Sequence, residues 1–160
     1  MYLEDFRVGD RAEIGAHLFT TDDILRFART YDTQAFHLSE EAGRAGPFKG
    51  LAASGWHTCA VWMKLTVAYN VRVARERMAA GLPVGRFGPS PGFRELKWSA
   101  PVMAGDTLTY FAEVVEARPS GSRPGWGLLT ARNTAVNQHG VQALSFVSAV
   151  FVERRPDAGV

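Results

Sequence analysis

Apolar residues change their spacing once along this chain, from mainly helical in the first half to alternating in the second. The stretch "AEIGAHLF" (12–19) reads as a short strand. Thr20 or Thr21 then offers a helix cap, and Asp22 and Asp23 fall in the first turn, where carboxylates favour the positive end of the helix dipole. Ile24, Leu25, Phe27, Ala28 and Tyr31 follow at helical spacing, predicting an amphipathic helix over 21–31. Ser39 can cap a further turn, "SEEAGR", closed by Gly43, Gly46 and Pro47. From about 54 to 79 nothing breaks a helix: Gly55 stands at its start and Gly81 just past its end. Its first half is apolar on nearly every face (Trp56, Cys59, Ala60, Val61, Trp62, Met63, Leu65, Val67, Ala68), the pattern of a buried helix. The second half, "RVARERM", should emerge into solvent.

A Gly/Pro-rich linker, "GLPVGRFGPSPG", separates this helix from a run of strands. "FRELKW" comes first, then the turn "APVMAGDT" with Ala104, Gly105 and Asp106 at its tip. "TLTYFAEVVEAR" puts Leu108, Tyr110, Ala112 and Val114 on one face. "WGLLTARNTAVNQ" and "VQALSFVSAVFVER" follow, joined by the turn "NQHG", so the three long strands predict an antiparallel meander. Neither a long apolar helix nor a sheet of four or five strands can hide its apolar surface alone. The expected fold is therefore α+β, a curved antiparallel sheet around one long helix, in a single domain spanning 1–160. An exposed sheet edge would be relieved by dimerisation.

Composition narrows the partners. Apolar residues make up 46% and charged residues 21%, as in an ordinary globular protein. A formal net charge of +2, with no lysine or arginine run, gives no case for nucleic acid. Cys59 is the single cysteine, so no intrachain disulfide can form and a reducing compartment suits the chain. No basic-then-apolar leader opens the sequence, and Ser54, His57, Lys64 and Asn70 interrupt its longest apolar stretch. A cytoplasmic protein without a membrane span is the expectation.

The chemistry concentrates in "YDTQAFHLSEEAG", where Asp32 precedes His37 by five residues with Gln34 and Phe36 between them. Spacing alone leaves open a solvated turn after a helix or an acid–base pair. A third element lies nearby: "GLAASGWHT" places Ser54, Gly55 and Trp56 at the head of the long helix. Free N–H groups and the helix dipole there favour negative charge on a bound oxygen, and glycine admits a close approach to the backbone.

With "DTQAFH" followed by "FKGLAASGWHT", the chain resembles the MaoC-like dehydratases, the (R)-specific enoyl-CoA hydratases of the hot-dog fold, whose signature is Asp-x-Asn-Pro-apolar-His and a small-x-Gly segment at the central helix. "ELKWSAPVMAGDTLT" and "NQHGVQALSF" look like that family's Pro-Val-x-x-Gly-Asp turn and its final hairpin, so the likeness runs from about Phe6 to Val152. Gln34-Ala35 replaces Asn-Pro, keeping the amide one methylene further out and giving up a fixed φ, and Ser54 stands where many members carry histidine.

The resemblance implies a hydratase of trans-2-enoyl thioesters, on CoA or an acyl carrier, with water held between Asp32 and His37 and the thioester oxygen on the Gly55 N–H. Gln34, Phe36, Ser54 and Trp56 would support the site. The same resemblance implies at least a homodimer, and no metal or redox cofactor is required. Two other readings share the fold: an acyl-CoA thioesterase, and a non-catalytic subunit that binds acyl thioesters.

Other residues carry less. His57 reads as a core histidine satisfied by a partner, and His17 and His139 as background. Cys59 reads as inert packing, and Trp56, Trp62 and Met63 as core rather than a ligand box. "GRFGPSPGF" lacks the Lys-Ser/Thr of a phosphate loop, while Arg118, Arg123 and Arg132 read as solvated strand ends that can also meet CoA phosphates.

Overall fold

The computed structural model describes residues 1–156. After a 3-10 turn at Leu3–Asp5 come β1 (Arg11–Leu18), α1 (Thr21–Tyr31), α2 (Ala35–Leu38), α3 (Glu40–Ala45), α4 (Gly55–Ala79), β2 (Gly92–Trp98), β3 (Thr107–Pro119), β4 (Trp126–Asn137) and β5 (Gln142–Glu153). One antiparallel sheet contains all five strands in the order β1-β3-β4-β5-β2. The predicted meander is its centre, and β1 and β2 form its edges.

Local chemistry sets the helix ends where expected. Thr20 accepts the Asp23 N–H at the start of α1, and Ser39 accepts the Ala42 N–H at the start of α3. The stretch between them is more ordered than a turn after a helix: residues 35–38 wind into α2, closed by the His37 N–H on the Gln34 carbonyl.

Helix α4 runs 25 residues, about 37 Å at 1.5 Å per residue. The Tyr110 hydroxyl donates to the Thr58 carbonyl at 3.1 Å and the Trp62 indole to Asn133 Oδ1 at 3.0 Å, fixing its first half to β3 and β4. Gly15, at a bulge in β1 with φ +141°, leaves room for the Leu65 side chain on the same helix. The expectation that this half is buried all round is overturned. His57, Thr58 and Val61 are buried, but Trp56 is 54% and Met63 50% exposed. The sheet covers one side of the helix, and among the described residues nothing covers Trp56, Met63, Val67 and Val71 on the other.

Two apolar clusters form the interior. The larger joins Phe19, Ile24, Val61, Leu108, Tyr110 and Leu144 between α1, α4 and the sheet. The smaller joins Leu3, Val114, Leu129 and Val152 beneath the 3-10 turn. Among the described residues no helix is long and apolar enough to cross a membrane.

Candidate active site

Asp32 caps the C-terminus of α1, its N–H on the Ala28 carbonyl, and His37 sits on the single turn of α2. His37 is buried, and its Nδ1 lies 2.6 Å from the Ala52 carbonyl oxygen. A carbonyl only accepts, so Nδ1 carries a proton, and the lone pair of the neutral imidazole is on Nε2. That Nε2 stands 3.6 Å from Asp32 Oδ2. The gap exceeds a hydrogen bond, so both atoms remain available to a third group.

The Ala52 carbonyl is aimed by distant sequence. Residues 51–53 run against 102–104, with Ala53 N–H on the Val102 carbonyl at 2.7 Å and Ala104 N–H on the Leu51 carbonyl at 2.9 Å. Asp106 accepts the Met103 N–H through one carboxylate oxygen and the Gln138 amide through the other. The "PVMAGDT" turn and the "NQHG" turn thus hold the segment that holds His37.

Burial pushes the Asp32 carboxyl upward, but the Ser54 hydroxyl, the Gln34 amide and the neighbouring His37 outweigh it, leaving the group below its ordinary value. Gln34 Nε2 donates to Asp32 Oδ1 at 2.9 Å. Ser54 is also the cap of α4, its hydroxyl accepting the Trp56 N–H at 3.2 Å. Gly55 opens the helix, and its N–H makes no hydrogen bond among the described residues. A side chain there is barred: a Cβ on Gly55 would overlap the Trp98 ring, whose indole N–H donates to the Gly55 carbonyl at 3.0 Å.

The family model described as "MaoC like domain" matches residues 10–125. The chain belongs to the MaoC-like family. A MaoC-like dehydratase from Rhodospirillum rubrum has the same fold at a TM-score of 0.77, with 36% identity over 98% of this chain and 99% of that one. The uncharacterized protein YdeM of Bacillus subtilis is 28% identical over 96% of this chain and 100% of its own. The (R)-hydratase from A. caviae involved in PHA biosynthesis matches at a TM-score of 0.65, with 18% identity over 92% and 97% of the two chains. The sheet and long helix described above are accordingly the hot-dog fold.

This MaoC-like chain brings Asp32, Gln34, His37 and Ser54 together, with Gly55 the next residue along. Ala35 begins α2, a position that proline also favours, so the exchange leaves the turn intact. Phe36 packs edge-on against His37 at 4.5 Å and against Phe48 at 5.4 Å between ring centroids. Trp56 is half-exposed and meets Trp98 edge-on at 5.3 Å. Sequence reasoning missed the Ala52 carbonyl, which has no residue-type signature, and Trp98, which stood inside the quoted "ELKWSAP".

His57 is buried as expected, but not by a satisfying partner. It stacks flat on Phe27 at 4.6 Å, meets Phe19 edge-on, and leaves Nδ1 without a hydrogen bond. Burial and the neighbouring His17 and Arg26 pull it down to about 4, against an opposing pull from Asp23. Burial pushes the Cys59 thiol up, in keeping with inert packing. Arg118, Arg123 and Arg132 are exposed; Arg118 pairs with Glu116, and Arg123 lies over the Phe151 ring.

Proposed function

We propose that this chain adds water to trans-2-enoyl thioesters, on CoA, giving 3-hydroxyacyl thioesters. The observation that carries the reading is the His37 tautomer: Nδ1–H is spent on Ala52, and Nε2 faces the Asp32 carboxylate across 3.6 Å. Water between them donates one hydrogen to Asp32 and loses a proton to Nε2 as its oxygen bonds to C3. The C2–C3 π electrons move toward the thioester oxygen, whose enolate charge is met by the Gly55 N–H and the positive end of α4. The imidazolium then returns the proton to C2, and the reverse sequence dehydrates the hydroxyacyl thioester. An aspartate held below its ordinary value is a carboxylate at neutral pH, as this division of labour requires.

The proposal includes a homodimer. Trp56, Met63, Val67 and Val71 form an exposed apolar stripe on α4, and the edge strand β2 exposes Phe93 and Trp98. A second copy added along β2 would cover both.

The test follows the ultraviolet absorbance of an enoyl-CoA through wild type, Asp32→Asn and His37→Ala. Wild type should bleach the enoyl chromophore, and each variant should lose about a hundredfold or more of that rate. Release of free thiol without bleaching would replace the reading with thioester hydrolysis.

A further inference from the structure

The edge strand β2 carries a bulge, and the bulge decides which way Trp98 points. Phe93 pairs with Ser148 and Trp98 with Leu144, so five steps along β2 match four along β5, the register slipping between Arg94 and Lys97. Residues five apart on a regular strand face opposite sides of the sheet. Here both face α4. Leu144, opposite Trp98, is buried in the larger apolar cluster, and Phe93 meets Phe146, which packs on Trp62 of α4. Within the slip Glu95 adopts φ +60°, a left-handed backbone that a residue with a side chain rarely takes. Strain of this kind gathers at functional sites, where the surrounding structure imposes it.

Turned inward, the indole reaches the head of α4. Its Nε1–H donates to the Gly55 carbonyl at 3.0 Å, and the Thr58 hydroxyl donates to the same oxygen at 2.6 Å. The Cys59 thiol lies within reach of both donors, but sulfur is a weak acceptor beside a carbonyl. The other end of that peptide unit is the Trp56 N–H, which donates to Ser54 Oγ at 3.2 Å. A peptide loaded on its oxygen donates better through its nitrogen, because hydrogen bonds in series polarise one another. Ser54 is buried, and with a lone pair taken by Trp56 its hydroxyl presents its proton to Asp32, whose charged form it favours. On the sheet side the relay is anchored: the Ser99 N–H, next along the chain from Trp98, donates to the Ala143 carbonyl at 2.9 Å.

Resting on the hydratase reading, we propose that Trp98 is a positioning residue for the addition of water, holding Asp32 in place through the Gly55–Trp56 peptide and the Ser54 hydroxyl. It acts without touching the substrate. It also needs no free surface, since the relay is the same whether solvent or a second copy lies against β2. Thr58 keeps the Gly55 carbonyl occupied when the indole donor is gone, so the loss is that of one hydrogen bond and not of the helix end.

The test removes the donor in two ways. Trp98→Phe loses the N–H and part of the ring, whereas benzothienylalanine in place of Trp98 keeps the shape and puts sulfur where the N–H was. Both should raise the Asp32 titration midpoint, read by NMR of carboxyl-labelled aspartate, because less hydrogen bonding favours the charged form less. Both should lower kcat about fivefold, the worth of one net hydrogen bond, with KM within about twofold. Ser54→Ala cuts the relay one link on, so in that background the isostere should leave the Asp32 midpoint unmoved and kcat within about twofold. Equal effects of the isostere with and without Ser54 overturn the proposal. So does a loss confined to Trp98→Phe, which would assign the role to ring volume. The titration needs no substrate: if wild type hydrates no enoyl-CoA but the isostere still moves Asp32 only where Ser54 is present, the relay stands and the hydratase reading falls. If wild type hydrates enoyl-CoA and the isostere changes neither kcat nor the midpoint, the relay falls and the hydratase reading stands.

Discussion

Gln34 shows how one side chain can change length without abandoning its contact. Its amide reaches Asp32 Oδ1 at 2.9 Å while its backbone caps α2, so the extra methylene is absorbed between two fixed points. This hydrogen bond stabilises the charged carboxylate. Gln34→Ala should therefore raise the Asp32 carboxyl toward its ordinary value, visible in an NMR titration, and lower kcat by about tenfold with little change in KM. Gln34→Asn should recover part of the loss if reach alone is at issue. At this scale the sequence singled out Asp32, His37 and Ser54 by residue type, and the fold brings these side chains together. The Ala52 carbonyl was not singled out, because every residue has one, and only the pairing of 51–53 with 102–104 turns this one toward His37.

The elements followed their local signals closely. Thr20 and Ser39 cap the helices they were expected to cap, and alternation through Leu108, Tyr110 and Val114 put those residues inside. The surface of α4 was misread because an apolar pattern reports what a helix can bury and not what is present to bury it. The same helix carries a pH sensitivity at its first turn. His57 is neutral against Phe27, Phe19 and His17, with Asp23 and Arg26 the nearest charges. Its folded value of about 4 lies below the ordinary 6.5, so the unfolded chain binds the proton more readily. The stabilisation is complete above 6.5 and is lost as pH falls toward 4. Urea unfolding of wild type at neutral pH and near pH 4 should differ by on the order of 2 kcal/mol more than for His57→Phe.

Taken whole, the molecule is a sheet with two open edges and a helix with one bare side. The antiparallel meander was readable from short turns between alternating runs, whereas the places of β1 and β2 at the two edges emerged only from the pairing of strands. A cavity of about 670 Å³ under the second half of α4 was not readable, since a void arises where residues far apart in sequence fail to touch. Exposure of Met63, Val67 and Val71 together with β2 makes a second copy the natural cover. On the proposed homodimer, sedimentation of wild type should give a dimer at micromolar concentration, and Val71→Glu, at an exposed position, should weaken it by about tenfold or more.

Trp98 rests on Gly55 so closely that the two positions share one volume. Evolution therefore handles them as a single character. A relative with a small residue at the end of β2 is free to carry a methyl group at the head of α4, and a relative that keeps the indole is bound to glycine. The order of change is therefore fixed: position 98 can shrink while glycine stays, whereas a side chain gained at 55 first meets the indole.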